Sequence, residues 1–565
     1  MIGPDRLAHG SLAQFGAVLA ALIILCLISA GLSAMGLPGN LVAYIFVFCC
    51  LALIAVSCRH NTPDTSRGSG VAVSMEWLSA FGLFGIVGAV YVYGHDGLAI
   101  LLGLVAGFVV SLLVVAPRLC VIPAPSMPDF LQMRYQSEPL RYITLGVMAV
   151  ATMLFLAAQL TATGLIAAHI FRIPSVVGIS VGAMAILALA MTARRGTISS
   201  AHVIVAVVAV ASILLAGFWL LTAKTGIIVP HLAAGGLLTD VAAAETRLGL
   251  DRAFGAPFEG LGFGNTTFLI VVLAVGSAVM PHLVRRVAAT EDPVTTQKTL
   301  RHGLVVFVAI ATILPGLAIL ARVELLSLFV GAKNSLAVGT FSDALLSGMD
   351  KVPTTLSASE LVVDPHSILM SVPDLSGASS WMLGLFSLFG LSVAAVAGAS
   401  AAYALADAIC SQAPAAEAMS QRSIPIVIVT VVAALLSAVT GLDIICFSAW
   451  AYSLIGAAVF APLVFGLWWR GATGAGAISG MLGGFVVTGV YIMGAGLGAD
   501  FVAGSGDEWR WLGATHFSAG VFGIAVSVLL TFIVSKLGAE PTLAQLEIMD
   551  RLDAPPLKVS PEALE

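Results

Sequence analysis

Apolar runs of about 20 residues recur along nearly the whole chain, and each is long enough to cross a hydrocarbon core of ~30 Å as a helix. In lipid a backbone must satisfy its own hydrogen bonds, so such runs fold as helices packed side by side. Composition agrees: 59% of the 565 residues are hydrophobic and 10% are charged, against roughly 25% charged in soluble domains. The expected class is an all-α polytopic membrane protein. The apolar runs make membrane lipid the expected surroundings, and the net charge of -5, small and spread over loops, argues neither for a nucleic-acid partner nor for an acidic one. The seven cysteines lie inside apolar runs or at their ends, so they form neither a disulfide framework in an aqueous segment nor a zinc cluster.

Apolar stretches bounded by charges, Gly or Pro predict about 14 spans, at 14–36, 41–58, 72–93, 97–117, 141–167, 175–192, 202–222, 264–286, 303–330, 380–409, 424–441, 445–468, 473–495 and 514–536. With the N-terminus in the cytoplasm most of the 25 Lys and Arg fall inside, as the positive-inside bias requires. Residues 1–40 read as an extra, retained N-terminal helix, with a cleaved signal peptide as the rival reading. The long segments 223–262 and 331–379 are expected as outer lids. Residues 537–565 read as a short cytoplasmic tail in which "TLAQLEIMDRL" is either a brief amphipathic helix or a surface turn.

Broken helices at membrane depth occur only where protein or a water-filled cavity covers the freed peptide groups, so breaks point to sites. The third span holds Gly82, Gly85 and Gly88 together with an acid, Glu76, inside the apolar stretch. The eighth holds Gly276 and Ser277 followed by Pro281, whose missing N–H interrupts a helix. These spans are five apart, the separation expected of two inverted halves meeting at one midplane site. An intramembrane acid is by default a functional residue, so Glu76 is a candidate for ion or proton coupling, with a structural hydrogen bond as the alternative.

Several blocks closely resemble the sodium/solute symporter family, particularly its acetate and short-chain monocarboxylate permeases: Glu76 to Leu98, "MPDFLQMRY", "AAQLTATGLI" around Gln159, "GSAVMPHLVRR", "VAGASAA" and "APLVFGLWWRGATGAGAISGMLGG". The likeness covers about 41–536, the expected transport domain. It implies a LeuT-type core of two inverted five-helix repeats, about 72–222 and 264–468, with flanking helices and alternating access in a bacterial inner membrane. It implies a cation site, for Na+, built from the carbonyls of Met75 and Leu78 and a hydroxyl of the tenth span, Ser387 first and Ser392 second. Many sodium-coupled members carry an acid where this chain has His202, and an imidazole relays a proton more readily than it binds sodium.

On this reading Gln159, Gly82, Gly276 and Ser277 face the solute, while Arg285 and Arg286 are inner-side charge anchors and Asp407 is either a gate partner or a solvated helix end. The expected function is symport of a small organic solute such as acetate, coupled to Na+ or H+, with no organic cofactor and room for a small membrane partner subunit. A transporter-fold sensor without coupled flux is the alternative. A proton-pumping respiratory subunit is disfavoured because every lysine lies outside the spans, and an enzyme because no HExxH or membrane nucleophile motif occurs.

Overall fold

The computed structural model describes residues 20–36, most of 41–49, and 66–122, 124–192, 200–227, 230–250, 254–288, 293–331, 336–337, 355–356, 363–378, 380–412, 415–441, 443–496 and 510–553. Among the described residues the regular secondary structure is helical apart from one two-residue antiparallel pair, Leu336–Ala337 with Thr355–Leu356. Among the described residues nine helices are long and apolar enough to cross a membrane, or ten if a pair bent by 50° counts as one span.

The first helix is α1 (Ala20–Ala34). The third predicted span is split into α2 (Ser66–Ala80) and α3 (Ile86–Tyr93) by a π-helical turn at Phe81–Gly85. A tight turn at Gly94, whose positive φ of 57° suits glycine, reverses the chain into α4 (Leu98–Val110). The Trp77 indole N–H donates to the Leu104 carbonyl at 3.1 Å, so α2 and α4 form a hairpin and count as separate crossings. Next along the chain is the short helix α5 (Met127–Tyr135), capped by Ser126.

Next come α6 (Glu138–Phe171), α7 (Ser175–Ala190), α8 (Ser200–Thr225) and α9 (Pro230–Leu248). The eighth span is the bent pair α10 (Phe263–Ala278) and α11 (Pro281–Ala288). The ninth joins α12 (Pro293–Ala311) to α13 (Leu314–Gly331). The remainder comprises α14 (Ile368–Leu375), α15 (Ser380–Ile409), α16 (Ala415–Thr440), α17 (Ile444–Trp468), α18 (Gly474–Gly496) and α19 (Gly520–Leu537).

The two broken helices occupy the middle of this packing. α2 lies against α12 and α15, while α10 lies between α4 and α17. Large apolar side chains such as Trp77, Phe81, Phe84, Phe108 and Phe155 are fully buried there. Isolated apolar side chains elsewhere, Leu435 and Val486 among them, are exposed, as lipid-facing positions should be. Within the two expected lids, α9 packs on α13, and α14 packs on α13 and α15.

The tail forms a helix rather than a surface turn. In α20 (Leu543–Asp553) Met549 and Leu552 are buried, and the preceding Thr542 contributes to its N-terminal hydrogen bonds. Gln545 donates to the Tyr135 carbonyl at 2.7 Å, Asp553 pairs with Arg118 at 2.9 Å, and Asp550 pairs with Arg470. Residues 1–19, 50–65 and 554–565 lie outside the described residues, and with them most of the second predicted span and the signal-peptide question.

Candidate functional site

The break in the third span does not fall on a glycine. It falls at Ser79, where φ is 50° and ψ is 177° inside an otherwise helical run. These torsions turn the next peptide out of the helical ladder. Gly82 lies one turn further on, within the π-helical turn and against Leu78 and Leu104. Gln159 from α6 meets the break: its Oε1 accepts the Ala80 N–H at 2.9 Å, and its Nε2 donates to the Phe155 carbonyl at 3.3 Å. Both polar ends of this fully buried amide are therefore engaged by backbone.

Around Ser79 stand three aromatic rings. Phe81 lies 5.5 Å and Phe155 6.1 Å from Tyr452, centroid to centroid. The Ser79 and Tyr452 hydroxyls face each other across this space. His282, at the start of α11, lies 4.8 Å from Phe155, centroid to centroid, with the rings tilted by 34°. Hydroxyls, an imidazole and apolar rings thus converge on one set of interrupted peptide groups.

The second break follows from Pro281. The last turn of α10 tightens, with the Val279 N–H donating to Gly276 and the Met280 N–H to Ser277, and the chain then bends by 50°. Gly276 and Ser277 serve packing in this conformation. A Cβ on Gly276 would stand 2.3 Å from the Tyr452 carbonyl, so only glycine lets α10 approach α17 this closely. Ser277 donates to Leu273 at 2.6 Å within its own helix.

Glu76 is fully buried and held by two partners. Ser400 Oγ on α15 donates to its Oε1 at 2.6 Å, and Arg286 on α11 donates through Nε at 3.1 Å and also through Nη2. One carboxylate therefore ties α2, α11 and α15 together, next to the Met75 and Leu78 carbonyls. His202, also buried, lies within electrostatic reach of Glu76, Arg285 and Arg286.

The tenth span presents a different serine to α2 from the ones expected. Ser387 Oγ donates to Leu383 at 2.6 Å and lies 3.9 Å from Met370 Sδ in the outer segment. Ser400 is thirteen residues further inward, about 20 Å along the helix axis at 1.5 Å per residue. Ser392, buried, lies between them, roughly two turns outward of Ser400. The block "VAGASAA" contains Ser400, and the contact with Glu76 fixes which turn of α15 faces the break.

Arg285 and Arg286, expected as inner-side charge anchors, are partners in buried ion pairs. Asp407 sits between Arg285 at 3.3 Å and Arg422 at 3.1 Å, with the Arg285 guanidinium 4.3 Å above the Tyr403 ring. Asp129 on α5 pairs with Arg141 at 2.8 Å, which also donates to Ala408 and Ser411. Arg134 and Tyr135 bind the Gly466, Trp469 and Pro462 carbonyls at the end of α17. Charged groups thus close one end of the helix bundle, the inner end, which the positive-inside count assigns to the cytoplasm.

The opposite end is open. A cavity of about 580 Å³ runs from Asp96, Asp364, His366 and Asp443 at its mouth down to Phe81. Asp96 there accepts three backbone N–H bonds, from Phe258, Gly260 and Leu261 at 2.6–2.9 Å. His366 lies 3.3 Å from Asp443, which also caps α17 through the Cys446 N–H. Burial alone would raise the Asp443 carboxyl, but the bonds and charge of His366 and the Cys446 N–H hold it at about 2.

This geometry has recognisable relatives. An uncharacterised symporter of Cupriavidus necator is 22% identical, covering 90% of this chain and 92% of its own length. The monocarboxylic acid transporter of Corynebacterium glutamicum is 25% identical over 74% of each chain. Among solved structures, a Na+-coupled sialic acid symporter in a substrate-bound outward-open state superposes with a TM-score of 0.62 at 14% identity, covering 89% of this chain and 98% of that one. The likeness places this chain in the LeuT-type fold. The sodium:solute symporter family model matches residues 65–484, and the chain belongs to that family.

Proposed function

We propose that this protein carries a small monocarboxylate across a bacterial inner membrane together with Na+, by alternating access around the Ser79 break. Cation-coupled solute symport follows from the family; the solute, the ion and the residues are the finer reading. The observation that carries it is the outer cavity that ends on the broken helix while buried ion pairs close the inner end. The name of the Corynebacterium relative supports the solute class, and that of the sialic acid symporter supports Na+.

The break offers each ion its own chemistry. The lower half of α2 ends in carbonyls, the negative end of a helix dipole, and the upper half begins with N–H groups, the positive end. Carbonyls of Met75 and Leu78 with the Ser400 hydroxyl supply neutral oxygens to a cation, so Ser400 replaces Ser387 and Ser392 as the α15 ligand. A carboxylate fits the N–H end and the Ser79 and Tyr452 hydroxyls, and a short alkyl tail fits between Phe81 and Phe155. Glu76, held by Arg286 and Ser400, acts through that ion pair and not as a free proton carrier.

Purified protein in sealed vesicles tests this. With an inward Na+ gradient, labelled acetate, propionate or pyruvate should accumulate, and collapsing the gradient should release it. Uptake driven by a proton gradient with no Na+ dependence would overturn the ion assignment. Accumulation of a neutral or zwitterionic solute alone would overturn the solute class.

A further inference from the structure

The inner end carries a chain of helix caps that begins in the tail. The last carbonyls of an α-helix have no partner within their own helix. At the end of α17 those of Gly466 and Trp469 accept from Arg134 and that of Leu467 accepts from Arg118, while the Tyr135 hydroxyl donates to Pro462 one turn earlier. Arg134 and Tyr135 form the last turn of α5, so the Tyr135 carbonyl is itself a helix end, and the Gln545 amide donates to it at 2.7 Å. Gln545 has a second duty. Its Oε1 accepts the Thr542 N–H at 3.2 Å and its own N–H donates to the Thr542 hydroxyl at 3.4 Å, the reciprocal bonds of a capping box. One buried amide thus starts α20 and ends α5.

The neighbours of α5 give these caps their reach. Besides α6 and α17, α5 packs on α11, the inner half of the second broken helix, and on α15, which carries Asp407. Met549 and Leu552 of α20 join the main apolar core. Asp553 pairs with Arg118 at 2.9 Å, and the Arg118 guanidinium lies 4.0 Å over the Trp468 ring. Arg118 sits in the helical turn Ala116–Leu119 that follows α4. α20 therefore ties the α2–α4 hairpin, which contains the first break, to the end of α17.

We propose that α20 is a strap that holds the inner end closed: by capping α5 it fixes α5 on the end of α17 and against α11, and it loosens when the inner end opens. The pairs at its rim, Arg118 with Asp553 and Arg470 with Asp550, are partly exposed, so salt in the inner solution weakens them. The effect of the strap on transport rests on the function proposed above; its effect on access to the inner end does not.

The test uses the full chain in sealed vesicles, with a membrane-impermeant maleimide on the inner side and labelling read at the peptide that contains Cys410. This buried thiol lies at the end of α15, between the Ala408 carbonyl and the Ser411 hydroxyl that Arg141 holds. Gln545→Glu keeps the acceptor for Thr542 but sets an oxygen against the Tyr135 carbonyl, so α20 keeps its cap and loses its hold on α5. It should speed Cys410 labelling on the order of fivefold, the weight of one buried hydrogen bond in an equilibrium. Met549→Glu, which removes the apolar contact, should do at least as much. High salt should speed labelling in the parent and add little in Met549→Glu.

A lower Tm in both variants with Cys410 labelled at the parent rate would show a tail that only adds stability, and would overturn the proposal. Labelling in the parent that is indifferent to salt would overturn the ionic sensitivity of the strap. If the parent transports nothing under any gradient, the transport reading fails, yet the Cys410 rates still decide whether α20 holds the inner end closed.

Discussion

The two ends of the bundle are held by different kinds of interaction. Around the outer cavity many contacts joining elements run to backbone or neutral groups, such as Asp96 with the 258–261 loop and Asn265 with Thr515 and Ser518, beside the ion pairs of Arg322 with Glu245, Lys224 with Glu324 and His366 with Asp443. At the inner end Asp407 with Arg285 and Arg422, Glu76 with Arg286, and Asp129 with Arg141 join at least five helices through buried charge. Neutral hydrogen bonds contribute about 1 kcal/mol each, whereas stripping one partner from a buried ion pair costs about 3–5 kcal/mol. The closed inner end is thus the stiff one, and the outer end adjusts readily to a ligand. Inward opening must separate those charges, which requires compensating binding energy from the cation and solute.

Breaking the inner end should give the largest effect. Asp407→Asn leaves Arg285 and Arg422 without their carboxylate, with an expected loss of about 3–5 kcal/mol. Uptake should fall and the buried native Cys410 nearby should become reactive to a membrane-impermeant maleimide from the inner side. Unchanged Cys410 reactivity with normal uptake would remove the inner pairs from the gating account.

Next in size is the contrast between two serines of one helix. Ser400→Ala should weaken apparent cation affinity roughly tenfold, about the worth of one good hydrogen bond or ligand oxygen, whereas Ser387→Ala should change it by less than about twofold because Ser387 lies thirteen residues, about 20 Å along α15, from the Glu76 contact. Equal effects would return the cation site to the outer half of α15.

The outer end gives a smaller, pH-dependent effect. The Asp443 carboxyl is depressed to about 2 from 3.8, so its contribution to stability is present above about pH 4 and is lost as pH falls through about 2. The Tm difference between the parent and Asp443→Asn should stay constant from pH 7 to 5 and shrink below pH 4. Smallest of all is the tail. Arg470 pairs with Asp550 and Asp553 while half exposed, so Arg470→Ala should cost under about 1 kcal/mol and vanish at high salt.

Much of this architecture is legible in the chain. Hydropathy places the spans, and Pro281 announces the second break because its missing N–H is a covalent fact. The first break is not announced in that way. Ser79 carries no intrinsic signal for its conformation; the Ala80 N–H is captured by Gln159, 79 residues away in sequence, and only packing brings the two together. The Gly82–Gly88 run marks the right span but the wrong turn of it.

The inner charges were legible in position but not in role. An arginine at a helix end reads the same whether it faces lipid headgroups, as expected of Arg285 and Arg286, or a buried carboxylate, as found. The choice between Ser387 and Ser400 needs the sliding register of α15 against α2, which the pattern of either helix alone does not contain. Gln159, expected to face solute, is instead spent on backbone, an outcome visible only once the break is located.

Reciprocal binding tests the central claim most directly. With purified protein, Na+ should lower the Kd of the transported monocarboxylate, and that monocarboxylate should lower the Kd of Na+ by the same factor; Ser400→Ala should reduce both effects together. Solute binding that is indifferent to Na+ in the parent would contradict a shared site at the broken helix.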